Sequence, residues 1–536
     1  MKFEVTRLSL ESVRKFSAFV LDYVNESESI RPFIQDFPNR ESLRQQILRK
    51  QQQWVNRDVL QQCIQAQFAE LELHPLQKKN LDLLTDATTF TICTAHQPNL
   101  FSGHLYLIYK IVHAIELAAW CEKEFPEFHF VPVYYIGSED HDLDEIGAWN
   151  YEGQTHHWQS NQQGACGSMV LENIQPFLDM IRQTYRTDIP EENALLQLVE
   201  SAYQPQHTLT QAIRRLMQGL FAHKGLLMLD ANDTSLKQLF TSHIEKECFE
   251  NLSHKAYTET MSVWPEHYVA QAYSRPINLF YLKPQLRARI EQQGELWQVV
   301  DSAINWDASS LQEEIKQHPE RFSPNVITRP MYQECILPNI AFVGGGGELA
   351  YWAQLKKSFD AAQIVFPILI LRNSFQLVTA HTRTAMQRFQ LTYVDLFQSP
   401  EHYTNQLLQE HAVMNRLAEW KSHYTKLKIE LQRLSAEVNQ NLQQSAEAHL
   451  TSIDHKINRI EEKFRSHLRK ENIDLQQRFR KWHQVLLPEG QLQERHDNLL
   501  TWFKHWHQNV LINLHHYAEP LGKEFIVIEE LTESDK

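Results

Sequence analysis

Apolar residues follow two different rhythms along this chain. Through residue 88 the stretches around residues 40–48 and Gln61 are rich in helix formers and poor in breakers, and residues 1–88 read as helices. From Thr89 to Val133 the pattern turns to strand, helix, strand, as in a βαβ unit. The run 225–230 is a further buried-strand candidate, followed by Asp233 as the N-cap of a helix. Beyond Arg372 the period changes again. Val413, Leu417, Trp420, Tyr424, Leu427, Leu431, Leu434 and Val438 alternate spacings of four and three, the seam of a coiled coil. A second seam runs through Leu450, Ile453, Ile457, Ile460 and Phe464. The register breaks near Asn439 and Asn441, which predicts a hairpin there, although no glycine or proline marks it and one continuous helix fits the same pattern. Leu487-Pro488-Glu489-Gly490 ends the second arm, and residues 525–528 read as a last strand.

Residues of about 150–215 and 255–335 interrupt the alternation with proline-bearing, partly strand-like segments such as 275–282. They read as two insertions into a doubly wound α/β sheet. The expected organisation is a core over 1–375 with N-terminal helices and both insertions, an antiparallel coiled-coil arm over 376–500, and a helix and strand over 501–536 returning to the core.

Histidines and carboxylates gather just after the apolar runs, where open parallel sheets bind ligands. His96 follows a strand directly, and Gln97, Asn99, Gly103 and His104 lead into the next helix. A helix start offers unpaired N–H groups to anions, and an imidazole beside it adds a hydrogen bond. The plainer reading is one capping and one surface histidine. Residues 138–145 hold five carboxylates and a histidine, including Ser138, Glu139, Asp140, His141 and Asp142. Desolvating them unpaired is too costly, so they face water, a metal or a cationic substrate. As functional groups they bind an amine or sugar hydroxyls, or act as general base; otherwise they are a solvated acidic helix start. Gly344, Gly345, Gly346 and Gly347 let the backbone approach a ligand, with Glu348, Tyr351 and Trp352 on the helix that follows. A tight turn explains the same run. Arg372, Asn373 and Ser374 close a strand with an arginine suited to a carboxylate or phosphate, or to an ordinary ion pair.

Composition narrows the options. With 42% hydrophobic and 22% charged residues the chain is ordinary for a globular protein, and its net charge of −14 argues against a nucleic-acid partner. The N-terminus lacks an apolar leader, and no run approaches the roughly 20 apolar residues of a membrane span. No membrane and a cytoplasmic location are therefore expected. Six cysteines without a CxxC pair suggest neither disulfides nor a thiolate zinc site, and no metal ligand is assigned.

Residues 93–104, 134–142 and 342–352, with 366–374 and Leu492-Gln493-Glu494-Arg495, resemble the bacillithiol-biosynthesis cysteine-adding enzymes, the cysteine ligase family. The resemblance covers most of the chain. It implies a Rossmann-like core related to class I aminoacyl-tRNA synthetases, carrying two connecting-peptide insertions, and it places Tyr332 and Gln333 near the glycine-run pocket. It further implies that L-cysteine is joined to the amine of glucosaminyl malate, with ATP and magnesium used to activate the carboxylate. The residues leave open whether activation gives an adenylate or an acyl phosphate; the analogy with the synthetases favours the adenylate, with His96 and the helix starting near Gly103 stabilising phosphate charge. The family more often has glycine and proline where Ala95 and His104 stand, which bears on His104. The alternative is a metal-dependent hydrolase or amidase using His96, Glu139, Asp140, His141 and Asp142 as ligands. A third class is a non-enzymatic scaffold built around the coiled coil. The arm itself predicts a two-fold homodimer, because its seam is too apolar to leave in water.

Overall fold

The computed structural model describes residues 1–388, 390–471 and 473–532. Five strands form its central sheet: β1 (Thr89–His96), β2 (His129–Ile136), β3 (Leu227–Asp230), β4 (Asn339–Gly344) and β5 (Ile368–Leu371). They are all parallel, in the order β5-β4-β1-β2-β3. Nearly every residue of these strands is buried, which is why they read as continuous apolar or β-branched runs rather than as alternations. On one face, Phe90, Ile92, Ile340 and Ile368 pack against Leu43 and Ile47 of the helix Arg40–Gln51 and against Ala114 and Leu117 of α1 (Leu105–Glu124). On the other face Phe342 stacks under Trp352 of α2 (Gly346–Gln354), with ring centroids 4.2 Å apart. The fold is therefore a Rossmann-like α/β sheet covered on both faces.

The chain enters the sheet at its middle, moves outward through β2 and β3, then returns to place β4 on the opposite side of β1. This order leaves a crevice at the carboxyl ends of β1 and β4, where the connections diverge. Residues 137–226, between β2 and β3, carry the hairpin Ala148–Tyr151/Gln154–His157 and three longer helices. Residues 231–338, between β3 and β4, carry an antiparallel sheet of Leu279–Lys283, Leu286–Gln293, Leu296–Val299, Asn305–Trp306 and Phe322–Pro324.

One expectation fails at the start of the chain. Phe3–Ser9 is a strand, not a helix, and lies beside Glu524–Glu530 in a three-stranded sheet completed by Ser374–Val378. Its half-buried alternation is a strand period, and the partner that stabilises it is more than 500 residues away, out of reach of local propensity.

By contacts the chain divides into two compact units. One comprises Met1–Glu11, Phe16–Leu377 and Gln493–Glu529; the other comprises Ser12–Lys15, Val378–Leu492 and the residues after Glu529. The second unit contains α3 (Ala412–Val438) and α4 (Gln440–Glu471), which reverse direction at Asn439. Asn439 adopts extended backbone, and its side chain caps α4 by accepting from the Leu442 amide at 2.8 Å. Lys421–Glu461 at 2.6 Å and Lys428–Asp454 at 2.5 Å fix the antiparallel register. Leu450, Ile457 and Leu468 are buried between the helices, whereas Trp420, Leu427, Leu431 and Leu434 are 50–65% exposed. The apolar seam of α3 is thus largely uncovered within its own unit. Among the described residues no helix is long and apolar enough to cross a membrane.

In the first unit, Lys50 and Glu334 form a fully buried pair at 3.7 Å that ties the helix Arg40–Gln51 to the segment leading into β4. Burial pushes the Glu334 carboxyl above its usual range despite the lysine. Lys50→Met is expected to lower stability by about 3–5 kcal/mol at pH 8, because it strands a buried carboxylate. The loss should shrink at pH 6, where that carboxyl takes up a proton more readily. Urea denaturation at the two pH values checks this.

Candidate active site

The crevice at the switch point is a cavity of about 410 Å³ into which the carboxyl ends of all five strands lead. β1 supplies His96 and then Gln97, β2 supplies Ser138 to Asp140, and β3 supplies Asn232. Gly345, Gly347 and Glu348 follow β4, and Arg372 follows β5. Tyr106 and Lys110 come from the first turns of α1, Arg287 from the antiparallel sheet, Arg329 from the helix before β4, and Arg495 from the returning C-terminal segment.

Cations gather on one side. Arg372 is held by a bidentate bond to Glu494, Nη1 at 2.7 Å and Nη2 at 2.6 Å, both side chains nearly fully buried. Its Nε, equally buried, has no hydrogen-bond partner among the described residues. The guanidinium lies 5.7 Å from the Tyr106 ring. Lys110 pairs with Glu348 and donates to the Ala95 carbonyl at 3.1 Å. Arg329 donates to Gln333 Oε1 and to the Tyr351 hydroxyl, each at 3.0 Å. These donors stand with the first-turn amides of α2, which carry the helix's partial positive charge, and the combination suits a carboxylate or phosphate.

Carboxylates occupy the other side. Gln97 Nε2 donates to Asp140 Oδ2 at 3.2 Å and to Glu145 Oε2 at 3.3 Å, linking two acids. Burial would raise Asp140, but hydrogen bonds from His141 and the charge of Arg287 hold it well below the carboxylate range. Glu145 moves the opposite way, raised by burial and by the charges of Asp140 and Asp142. His96 sits between the two sides, its ring centroid 5.1 Å from that of Tyr106. Burial and then the Lys110 charge push its pKa well below the imidazole value, so the ring is neutral at physiological pH.

The structure separates the sequence-selected residues into two groups. His96, Gln97, Ser138, Glu139, Asp140, Gly345, Gly347, Glu348, Tyr351 and Arg372 line the cavity. Glu139 is paired with the buried Lys237. His141 accepts from Arg287 Nη1 at 2.7 Å, and Asp142 caps a short helix by accepting from the Glu145 amide at 3.1 Å. Neither lines the cavity. Asn99, Gly103 and His104 also lie off it, because Phe101, Ser102 and Gly103 all take positive φ and turn the chain away. The start of α1 is covered by the returning C-terminal segment: the Asp497 carbonyl accepts from the Leu105 amide at 2.8 Å, and Asn498 Nδ2 donates to the Phe101 and Gly103 carbonyls. The helix start that faces the cavity is that of α2.

Gly344 and Gly346 do not line the cavity; a Cβ at Gly346 would collide with Val20, and one at Gly344 would lie 2.8 Å from the Phe342 ring. Tyr332 is core, its hydroxyl donating to the Ala231 carbonyl at 2.7 Å, and Gln333 acts on the cavity through Arg329. Asn373 bonds the backbone of Glu519 from both amide atoms, and Ser374 lies against Glu494. Trp352 is fully buried between Phe342 and Phe359. Among the described residues, no three His, Cys, Asp or Glu side chains converge to hold a metal ion, so the ligand set of the hydrolase alternative is not assembled.

Sequence reasoning passed over Lys110, Tyr106, Arg287 and Arg329, and counted Glu145 in the acidic cluster without giving it a role. Lys110 carried a usable signal, a lysine in the middle of an otherwise apolar helix. Arg287 and Arg329 carried none, since only the tertiary fold brings them to the strand ends.

Residues 2–373 match the family described as bacillithiol biosynthesis BshC, N-terminal Rossmann-like domain, and residues 375–530 match its C-terminal coiled-coil domain. A protein of Flavobacterium johnsoniae named "Putative cysteine ligase BshC" is 32% identical over 97% of this chain and 99% of its own length. Relatives of the same name from Cytophaga hutchinsonii and Bacillus mycoides are 33% and 25% identical, over 93% and 88% of this chain and 94% and 88% of their own. The chain belongs to this family of bacillithiol biosynthesis, and it is an enzyme of the ligase class.

The placement of Trp352 is directly testable. Trp352→Ala should lower stability by about 3–5 kcal/mol, the usual cost of emptying a large buried aromatic site. Chemical denaturation reads this, and a wild-type midpoint would place the indole on a ligand surface instead.

Proposed function

We propose that the enzyme forms the amide between the carboxyl group of L-cysteine and the amine of glucosaminyl malate, with ATP activating the carboxylate. The observation that carries this reading is that one cavity at the carboxyl ends of the sheet is lined both by Lys110, Arg329 and Arg372 and by Glu139, Asp140 and Glu145. Such a site suits reactants bearing both carboxylates or phosphates and an amine. Its low, partly enclosed dielectric strengthens both attractions.

ATP supplies the energy that amide formation from a carboxylate in water requires. The residues present fit its phosphates: Lys110, Arg372 with its unpartnered Nε, and the first-turn amides of α2 would hold them. Magnesium in such sites is bound largely through phosphate oxygens with one or two carboxylates, and Glu348 and Asp140 are at hand. His96, neutral, offers an N–H to oxyanion charge without the cost of burying another cation. The acidic side draws in the ammonium group of the amine substrate. The cytoplasm, where ATP and reduced cysteine coexist, is the setting this chemistry calls for.

The arm is proposed to join two copies of the chain. Trp420, Leu427, Leu431 and Leu434 form an uncovered apolar row on α3, and closed two-fold pairing is the commonest way to cover such a row.

Two experiments test these readings. Purified protein incubated with L-cysteine, glucosaminyl malate and ATP should yield the cysteinyl amide by mass spectrometry, and His96→Ala should lower its rate by about 10²- to 10⁴-fold with the fold retained. A fully active variant would reduce His96 to a structural role. Light scattering at micromolar concentration should give the mass of a dimer, and Leu427→Glu with Leu431→Glu should give that of a monomer. A monomeric wild type would reserve the row for another purpose.

A further inference from the structure

Resting on the ligase reading above, we infer that Glu145 is the general base that takes the proton from the attacking amine. The inference comes from the state of the four carboxylates that line the cavity. Glu139 is committed to Lys237. Asp140 accepts from the backbone amide of His141 at 2.7 Å and from Gln97, and lies 4.0 Å from Arg287. Glu348 accepts from the Gly345 amide at 2.9 Å and is paired with Lys110. Among the described residues Glu145 alone of the four has neither a cationic partner nor a backbone donor, and only the shared Gln97 amide bonds it. Three carboxylates already have a cation beside them. One is available to exchange a proton.

Chemistry requires such a group. The amine arrives largely as an ammonium ion, which has no lone pair with which to attack. As the C–N bond forms at the cysteinyl carboxyl carbon, activated by ATP as a phosphoric anhydride, the bond to the phosphate-bearing oxygen breaks and its electron pair leaves with that oxygen. Nitrogen gives up two protons in turn, one from the ammonium ion before attack, which frees its lone pair, and one as the C–N bond forms; each passes to a Glu145 oxygen and then to solvent, to which Glu145 is exposed at the edge of the cavity. The groups that face it support this duty: Asp140 and Asp142 on its own segment, Gln97 after β1, and Tyr106 on α1. Two negative charges and no close cation favour a carboxylate that accepts a proton readily. Neighbouring acids driven apart in proton affinity, here Asp140 down and Glu145 up, are the usual mark of divided roles.

The test compares two acceptors of the activated cysteine. Hydroxylamine is largely uncharged at neutral pH and attacks without a base, whereas glucosaminyl malate requires one. For Glu145→Gln, amide formation with glucosaminyl malate should fall by about 10²-fold or more. ATP-dependent cysteine hydroxamate formation should stay within a few-fold of wild type, which also shows the variant to be folded. Glu145→Asp should restore part of the amide-forming rate. Equal loss of both products from Glu145→Gln, or wild-type amide formation, would overturn the assignment. If the wild-type enzyme itself makes hydroxamate but no amide, the choice of amine is wrong. If it makes neither, the ligase reading falls first.

Discussion

The buried pair of Arg372 and Glu494 is the constraint around which the site is arranged. A guanidinium and a carboxylate removed from water together gain little net stability over an apolar pair of the same shape, but losing one partner strands a charge in the interior. The pair therefore acts chiefly on position. It fixes the exit of β5, leaves one arginine nitrogen without a protein partner, and anchors a segment 122 residues further along the chain. That segment makes further bonds beside it: Gln493 pairs with both backbone groups of Leu377, while Asp497 and Asn498 close the loop ahead of α1. One C-terminal strap thus sets the geometry on both sides of the switch point.

Most charges at the cavity are paired, Lys110 with Glu348, Lys237 with Glu139, and Arg287 beside Asp140. Lys110, Arg329 and Arg372 come from three different segments and Glu139, Asp140 and Glu145 from a single one, with Gln97 and a neutral imidazole also lining the cavity. A protonated His96 would add to a side already carrying Lys110 and Arg372, and burial beside those charges keeps the ring uncharged. The geometry favours ligands that are themselves dipolar over those of a single sign.

The sheet, the two long interruptions and the paired arm helices were legible in the sequence because each writes a local period: continuous apolar runs for strands buried on both faces, heptads for α3 and α4. The lining of the cavity was legible only where it follows a strand directly, as with His96, Asp140 and Arg372. His104 and Gly103 resembled a nucleotide-binding turn, yet three successive positive φ values send that loop under the C-terminal strap. Tyr351 and Trp352 both read as a pocket wall because they follow the glycine run on the same helix, but adjacent helix positions point about 100° apart, and of the two Tyr351 faces the cavity. Arg287 and Arg329 sit in insertions whose sequence says nothing of where they fold back. The seam on α3 was visible as a heptad, but its exposure was not, since period alone does not say which partner covers it.

The pairing of Phe3–Ser9 with Glu524–Glu530 has a bearing on how this molecule is made. Thr6 donates to Glu529 across 523 positions at 3.0 Å. A ribosome adding about 5–20 residues per second therefore releases the first strand roughly 25–100 s before its neighbour exists. Throughout that interval the strand has an unpaired edge, and Arg372, once synthesised, has no Glu494 to neutralise it. The nascent chain carries its cavity-lining loops early but acquires an organised cavity only once residues 493–530 have been made, so a chain cut short before them lacks the pair that sets that cavity.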